Sequence, residues 1–160
     1  MGREHKIISA LESSSVPVPK TYGLCSDPEV NGASFYVMDF IDGVVLNDST
    51  VSVAIQDSDR PALGEHVINI LCDLHAVDID AVGLGDLGRK EAYLARQLNR
   101  WSKQWVASKT HEIPAMEACQ SLLSERMPHQ IGASIVHGDF RLGNMTVSYT
   151  HLTLPTTDRV

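Results

Sequence analysis

The sequence is short of the features that mark cross-linked, membrane-spanning or nucleic-acid-binding proteins. Its 160 residues hold three cysteines, Cys25, Cys72 and Cys119. An odd number spread this far apart fits reduced, buried thiols better than a disulfide framework or a zinc site. No group of His or Cys has metal-ligand spacing. No run approaches the ~18 apolar residues of a membrane span, and no signal-peptide pattern opens the chain. Met1-Gly2 begins like a myristoylation site, but Lys6 stands where a hydroxyl residue is required. A net charge of −7 without any Lys/Arg block argues against nucleic acid. These absences together predict a cytoplasmic protein with no membrane and no nucleic-acid partner.

What is present is an ordinary globular composition, 43% hydrophobic and 21% charged, in a chain long enough for one domain. Residues 3–14 predict a helix with Ile7, Ile8 and Leu11 on one face, stopped by Ser13-Ser14-Ser15. The prolines of Val16-Pro17-Val18-Pro19 hold the next segment extended. Residues 20–25 and 34–40 predict a hairpin around turn signals at Asp27-Pro28 and Asn31-Gly32. A second helix starts near Ser58, with Pro61 in its first turn and Leu63, Val67, Leu71 and Leu74 on one face. Glycines 83, 85 and 88 mark a loop. A third helix carries Leu94, Leu98, Trp101 and Trp105 at helical spacing and ends near Ser108; packing is the default role of its tryptophans. A fourth opens at Pro114, with Met116, Cys119, Leu123 and Met127 inward.

The chemistry concentrates in residues 137–144, HGDFRLGN, after an apolar run at 131–136 that predicts a strand. Asp139 and Asn144 stand five apart in a segment too short and too glycine-containing for a regular element. A carboxylate that accepts a proton from an attacking hydroxyl, beside a carboxamide that helps hold Mg²⁺, is a compact phosphoryl-transfer site. Protein kinases use the related order His-Arg-Asp, four spacers, Asn; Gly138 stands here where that Arg would be. His137 suits loop support by hydrogen bonding, and Arg141 suits a phosphate or substrate contact. For Asp139 the bland alternative is an ordinary turn-forming Asp.

Residues 147–157, VSYTHLTLPTT, back-translate in frame into the transposon-end adapter of sequencing libraries. Residues 146–160 are therefore expected to be a non-native tail, with the natural sequence stopping near Met145.

Several segments together resemble the aminoglycoside phosphotransferase family of kinase-like enzymes. They are REHKIISALESSSVPVPK, FYVMDFIDG, LHAVD, VGLGDLGRKEAYLARQLNRWSKQW and IVHGDFRLGN. More narrowly they resemble the branch with kinase-like domains fused to acyl-CoA dehydrogenases. The resemblance implies an α+β, protein-kinase-like fold in incomplete form. Residues 1–41 would be part of the N-terminal lobe and the hinge, and 42–145 a largely helical C-terminal lobe with the catalytic loop. It implies ATP and Mg²⁺ as cofactors. Glu4 would be the helix carboxylate that positions a phosphate-gripping lysine, although for any helix a solvated, dipole-favoured Glu is the simpler role. Met38 would border adenine, and Asp39 and Ile41 would meet it through a carbonyl and an amide. Asp139 would be the catalytic carboxylate and Asn144 a metal ligand. The lysine and a second metal-binding Asp have no counterpart, so the chain is expected to be inactive alone.

The resulting expectation is an ATP- and Mg²⁺-dependent small-molecule phosphotransferase acting on a substrate hydroxyl. The branch resemblance suggests an acyl-CoA-linked hydroxyl as readily as an aminoglycoside, and a parent protein fused to or partnered with an acyl-CoA dehydrogenase. The competing readings are a non-catalytic kinase-like binding module, which has no chemical need for both Asp139 and Asn144, and a purely helical interaction domain.

Overall fold

A computed structural model describes residues 1–47, 55–148 and 152–153. Helix α1, Gly2–Leu11, buries Glu4, Ile8 and Leu11. The serine run stops it through its hydroxyls: Ser14 Oγ donates to the Leu11 carbonyl at 2.7 Å and accepts from the Val16 amide at 3.2 Å. Serine here competes with the helix for its own backbone groups.

Strands β1, Thr21–Cys25, and β2, Phe35–Met38, form an antiparallel hairpin with Thr21 opposite Met38. The turn signal at Asp27-Pro28 is realised as a single helical turn, α2, Pro28–Asn31. Asp27 caps it by accepting from the Glu29 amide at 2.9 Å, and Gly32 ends it at φ 73°.

Helix α3, Arg60–Ala76, buries Ile70 and Leu74, with Leu63 and Val67 packed beside them. The expected face included Leu71. That residue is half-buried, and Ile70 takes the inward place. Steps of four, three and four residues from Leu63 to Leu74 keep one side of a 3.6-residue helix.

Helix α4, Tyr93–Ser108, and helix α5, Pro114–Glu125, lie where the sequence places them but bury no residue. The expected inward positions are corrected accordingly: Met116 and Leu123 are exposed, as is Cys119. The thiols are free but not buried, with Cys25 half-exposed and Cys72 exposed. Residues 131–136 form no strand, and Ile131 is 98% exposed. A strand needs a neighbour for its amides and carbonyls, and this run has no ladder partner among the described residues.

Three strands of two residues each make a second sheet. Strand β3, Val44–Val45, pairs antiparallel with β4, Thr146–Val147, which pairs in turn with β5, Leu152–Thr153.

Two compact units result. One combines Met1–Gly85 with the described residues from Ser134 onward, and the other is Asp86–Ala133. The first holds a core of Leu11, Val16, Ile70, Leu74 and Met145, flanked by Ile135, Phe140 and Val147. Apolar burial of this kind contributes about 25 cal/mol per Å². It fastens the segment around residues 140–147 to α1 and α3.

Candidate active site

Burial of Met145 fixes the loop from behind, and Gly138, at φ 83°, lets the chain turn between His137 and Asp139. A short 3₁₀ turn, Leu142–Asn144, then folds Asn144 back into the loop, where it is buried. Its Nδ2 donates to the Asp139 carbonyl at 2.9 Å and to Asp139 Oδ2 at 2.8 Å. Arg141 Nε donates to the same Oδ2 at 3.4 Å. The structure thus brings Asp139, Arg141 and Asn144 together.

His137 Nδ1 accepts from the Asp139 amide at 3.4 Å, and its ring meets Phe140 edge-on at 5.7 Å. Burial holds its pKa below the ordinary 6.5, with the Asp139 charge opposing. A neutral ring that accepts at Nδ1 carries its proton on Nε2. The role is support of the loop.

The other predicted residues lie on α1 and the end of the hairpin. Glu4 is buried at 9% exposure and accepts a hydrogen bond from the Tyr36 hydroxyl on β2. Burial, then the Glu4 charge and that bond, push the Tyr36 phenol up to about 12. His5 adds an edge-on ring contact to Tyr36 at 5.8 Å. Tyr36 as the partner of Glu4 was missed in the sequence; an aromatic on a short strand reads as packing alone.

Met38 ends β2 opposite Thr21. The Asp39 amide donates to the Lys20 carbonyl at 2.8 Å, and its Oδ1 accepts from the Tyr22 hydroxyl at 2.6 Å. Both groups are committed to the hairpin, which orients the Asp39 peptide. Ile41 is half-buried just beyond.

Among the described residues no group of three or more His, Cys, Asp or Glu could hold a metal. A fit to Mg²⁺ rests on the carboxamide instead. With Nδ2 committed to Asp139, its oxygen is the group left to ligate, and an all-oxygen set supplemented by phosphate and water is what Mg²⁺ takes.

Comparison with known proteins gives the family. The profile of the phosphotransferase enzyme family matches residues 1–153. The chain belongs to that family. A Ralstonia eutropha structure named "putative aminoglycoside phosphotransferase" superposes with TM-score 0.86 at 36% identity, over 98% of this chain and 48% of that one. The fold is therefore the α+β, kinase-like fold of the aminoglycoside phosphotransferases, in part. Acyl-CoA dehydrogenase family member 10 of Mus musculus is 37% identical over 143 residues, 89% of this chain and 13% of that protein. "Probable acyl-CoA dehydrogenase IBR3" of Arabidopsis thaliana is 36% identical over 167 residues, 99% of this chain and 19% of that protein. The chain thus spans less than a fifth of these two relatives.

Proposed function

We propose that this chain carries the catalytic loop of an ATP- and Mg²⁺-dependent phosphotransferase acting on the hydroxyl of a small molecule. The observation that supports it most is the paired geometry of Asp139 and Asn144, a partly exposed carboxylate and a buried carboxamide bonded at 2.8 Å. Asp139 orients the attacking hydroxyl and accepts its proton at a carboxylate oxygen. Asn144 would hold Mg²⁺, which when bound neutralises charge on the phosphates. Little covalent chemistry is asked of the protein; positioning and electrostatics supply the rate.

Adenine binds at the end of the hairpin against Met38, meeting the Asp39 carbonyl and the Ile41 amide. Glu4 positions a phosphate-gripping lysine. No lysine among the 160 residues is assigned that phosphate-gripping role, so the chain by itself is expected not to turn over ATP. The names of the two acyl-CoA dehydrogenase relatives support an acyl-CoA-linked hydroxyl substrate and a parent protein containing an acyl-CoA dehydrogenase. The family and the absence of a membrane-spanning helix among the described residues suit a cytoplasmic location.

The test is Asp139→Asn in a protein carrying the complete kinase-like domain. Phosphoryl transfer should fall by about 10²- to 10⁴-fold, the range for a positioned acid–base group. Unchanged turnover would remove Asp139 from the chemistry, and no turnover by the unaltered domain would leave a binding module as the better reading. Mg²⁺-dependent ATP turnover by the 160-residue chain alone would show the lysine role to be misassigned.

A further inference from the structure

Glycine 143 has no backbone reason to be glycine. Its φ lies outside the left-handed region, where only Gly32, Gly83 and Gly138 are found among the described glycines. Its surroundings supply another reason. A Cβ built there would lie 2.5 Å from Arg141 Nη1, 3.3 Å from Arg141 Cζ and 3.4 Å from the Asn47 Cα. The Arg141 guanidinium lies across the space a side chain would fill.

From that position Arg141 Nε reaches Asp139 Oδ2 at 3.4 Å, the same oxygen that Asn144 Nδ2 reaches at 2.8 Å. We propose that Gly143 is a positioning residue: its missing side chain gives the Arg141 guanidinium room to fold back, so that Arg141 and Asn144 together hold Asp139 Oδ2. Two donors on one oxygen fix the carboxylate's rotation. The functional meaning of that rotation rests on Asp139 being the reactive carboxylate; the geometry does not.

The neighbour that a Cβ would strike is the mobile end of a long side chain. Gly143→Ala therefore moves Arg141 and leaves the turn standing. Arg141 is 58% exposed, so the contact is that of a surface ion pair. Its loss shifts an equilibrium by about 1.5- to 5-fold.

The experiment is nuclear magnetic resonance on the 160-residue chain, reading hydrogen exchange at Arg141 Nε and at the Asn144 carboxamide. Gly143→Ala should speed exchange at Arg141 Nε by about 1.5- to 5-fold. Arg141→Gln should loosen the Asn144 carboxamide by a similar factor, and adding Gly143→Ala should then change nothing more. Unchanged Arg141 exchange in Gly143→Ala overturns the proposal. So does an additive double variant, because Gly143 would then act through Asn47 or the backbone. If Gly143→Ala does not fold, Arg141→Gln carries the test alone, and an unaltered Asn144 signal overturns it. These readouts need no turnover. Failure of Asp139 as the reactive carboxylate would appear separately, as retained phosphoryl transfer in Asp139→Asn of the complete domain.

Discussion

The two compact units differ in what holds them. The unit containing Met1–Gly85 and the residues from Ser134 onward has a closed core, with Ile8 and Met145 at 0% exposure. The unit Asp86–Ala133 is built from α4 and α5, which bury no residue at all. Its order rests on helix propensity, a Lys109 ion pair with Glu112 at 3.0 Å and with Glu117 at 3.3 Å, and Gln130. The Gln130 side chain bridges the Lys90 carbonyl and the Tyr93 amide. Exposed ion pairs contribute little. The difference teaches where a loop can be held still: the one carrying Asp139 and Asn144 is anchored on the unit that has a core.

Met145→Ala breaks this comparison most sharply. Removing a fully buried methionine should destabilise the first unit by about 2–5 kcal/mol, read by chemical denaturation. Retained stability would mean the loop is not fastened by the core. At the other extreme, Leu123→Ala on α5 should change stability by no more than about 0.5 kcal/mol, as at most surface sites. A larger loss would reveal packing that its 53% exposure hides.

Between these lie two titrations. Burial depresses His137, so its neutral form favours the fold. That contribution is fully present above pH 6.5 and is lost as pH falls through the lowered value. Replacing His137 with Gln should flatten the acid limb of a stability–pH curve, and an unaltered limb would remove the histidine from loop support.

Tyr36 has the opposite sign. Its folded value of about 12 exceeds the ordinary 10.0, so its contribution holds below pH 10.0 and is lost as pH rises through about 12. In an absorbance titration, Glu4→Gln should lower the Tyr36 midpoint toward 10.0 without reaching it, because burial, the largest cause, remains. A midpoint that does not move would separate Glu4 from Tyr36.

Elements with strong local periodicity were legible in the sequence, as were the residues of the loop. Asp139 and Asn144 stand out through their spacing, and α1, β1, β2, α3, α4 and α5 follow from apolar patterns and proline placement. What could not be read depends on distant partners. Strand β3 is two residues long and finds β4 a hundred positions later, so nothing near Val44 signals it. The reverse error occurs at 131–136, where local β propensity meets no ladder among the described residues. The faces of α4 and α5 show the same limit, because helical spacing predicts which side is apolar and not whether anything covers it.

The β3–β4 ladder has one more consequence. A Cβ at Gly43 would lie 2.7 Å from the Val147 carbonyl oxygen and 2.7 Å from Thr146 Cγ2, and backbone cannot step aside as a side-chain tip can. The segment just after Ile41 and the segment leaving the loop are thus pressed together. At this crossing glycine is the residue whose missing side chain lets the two segments lie in contact.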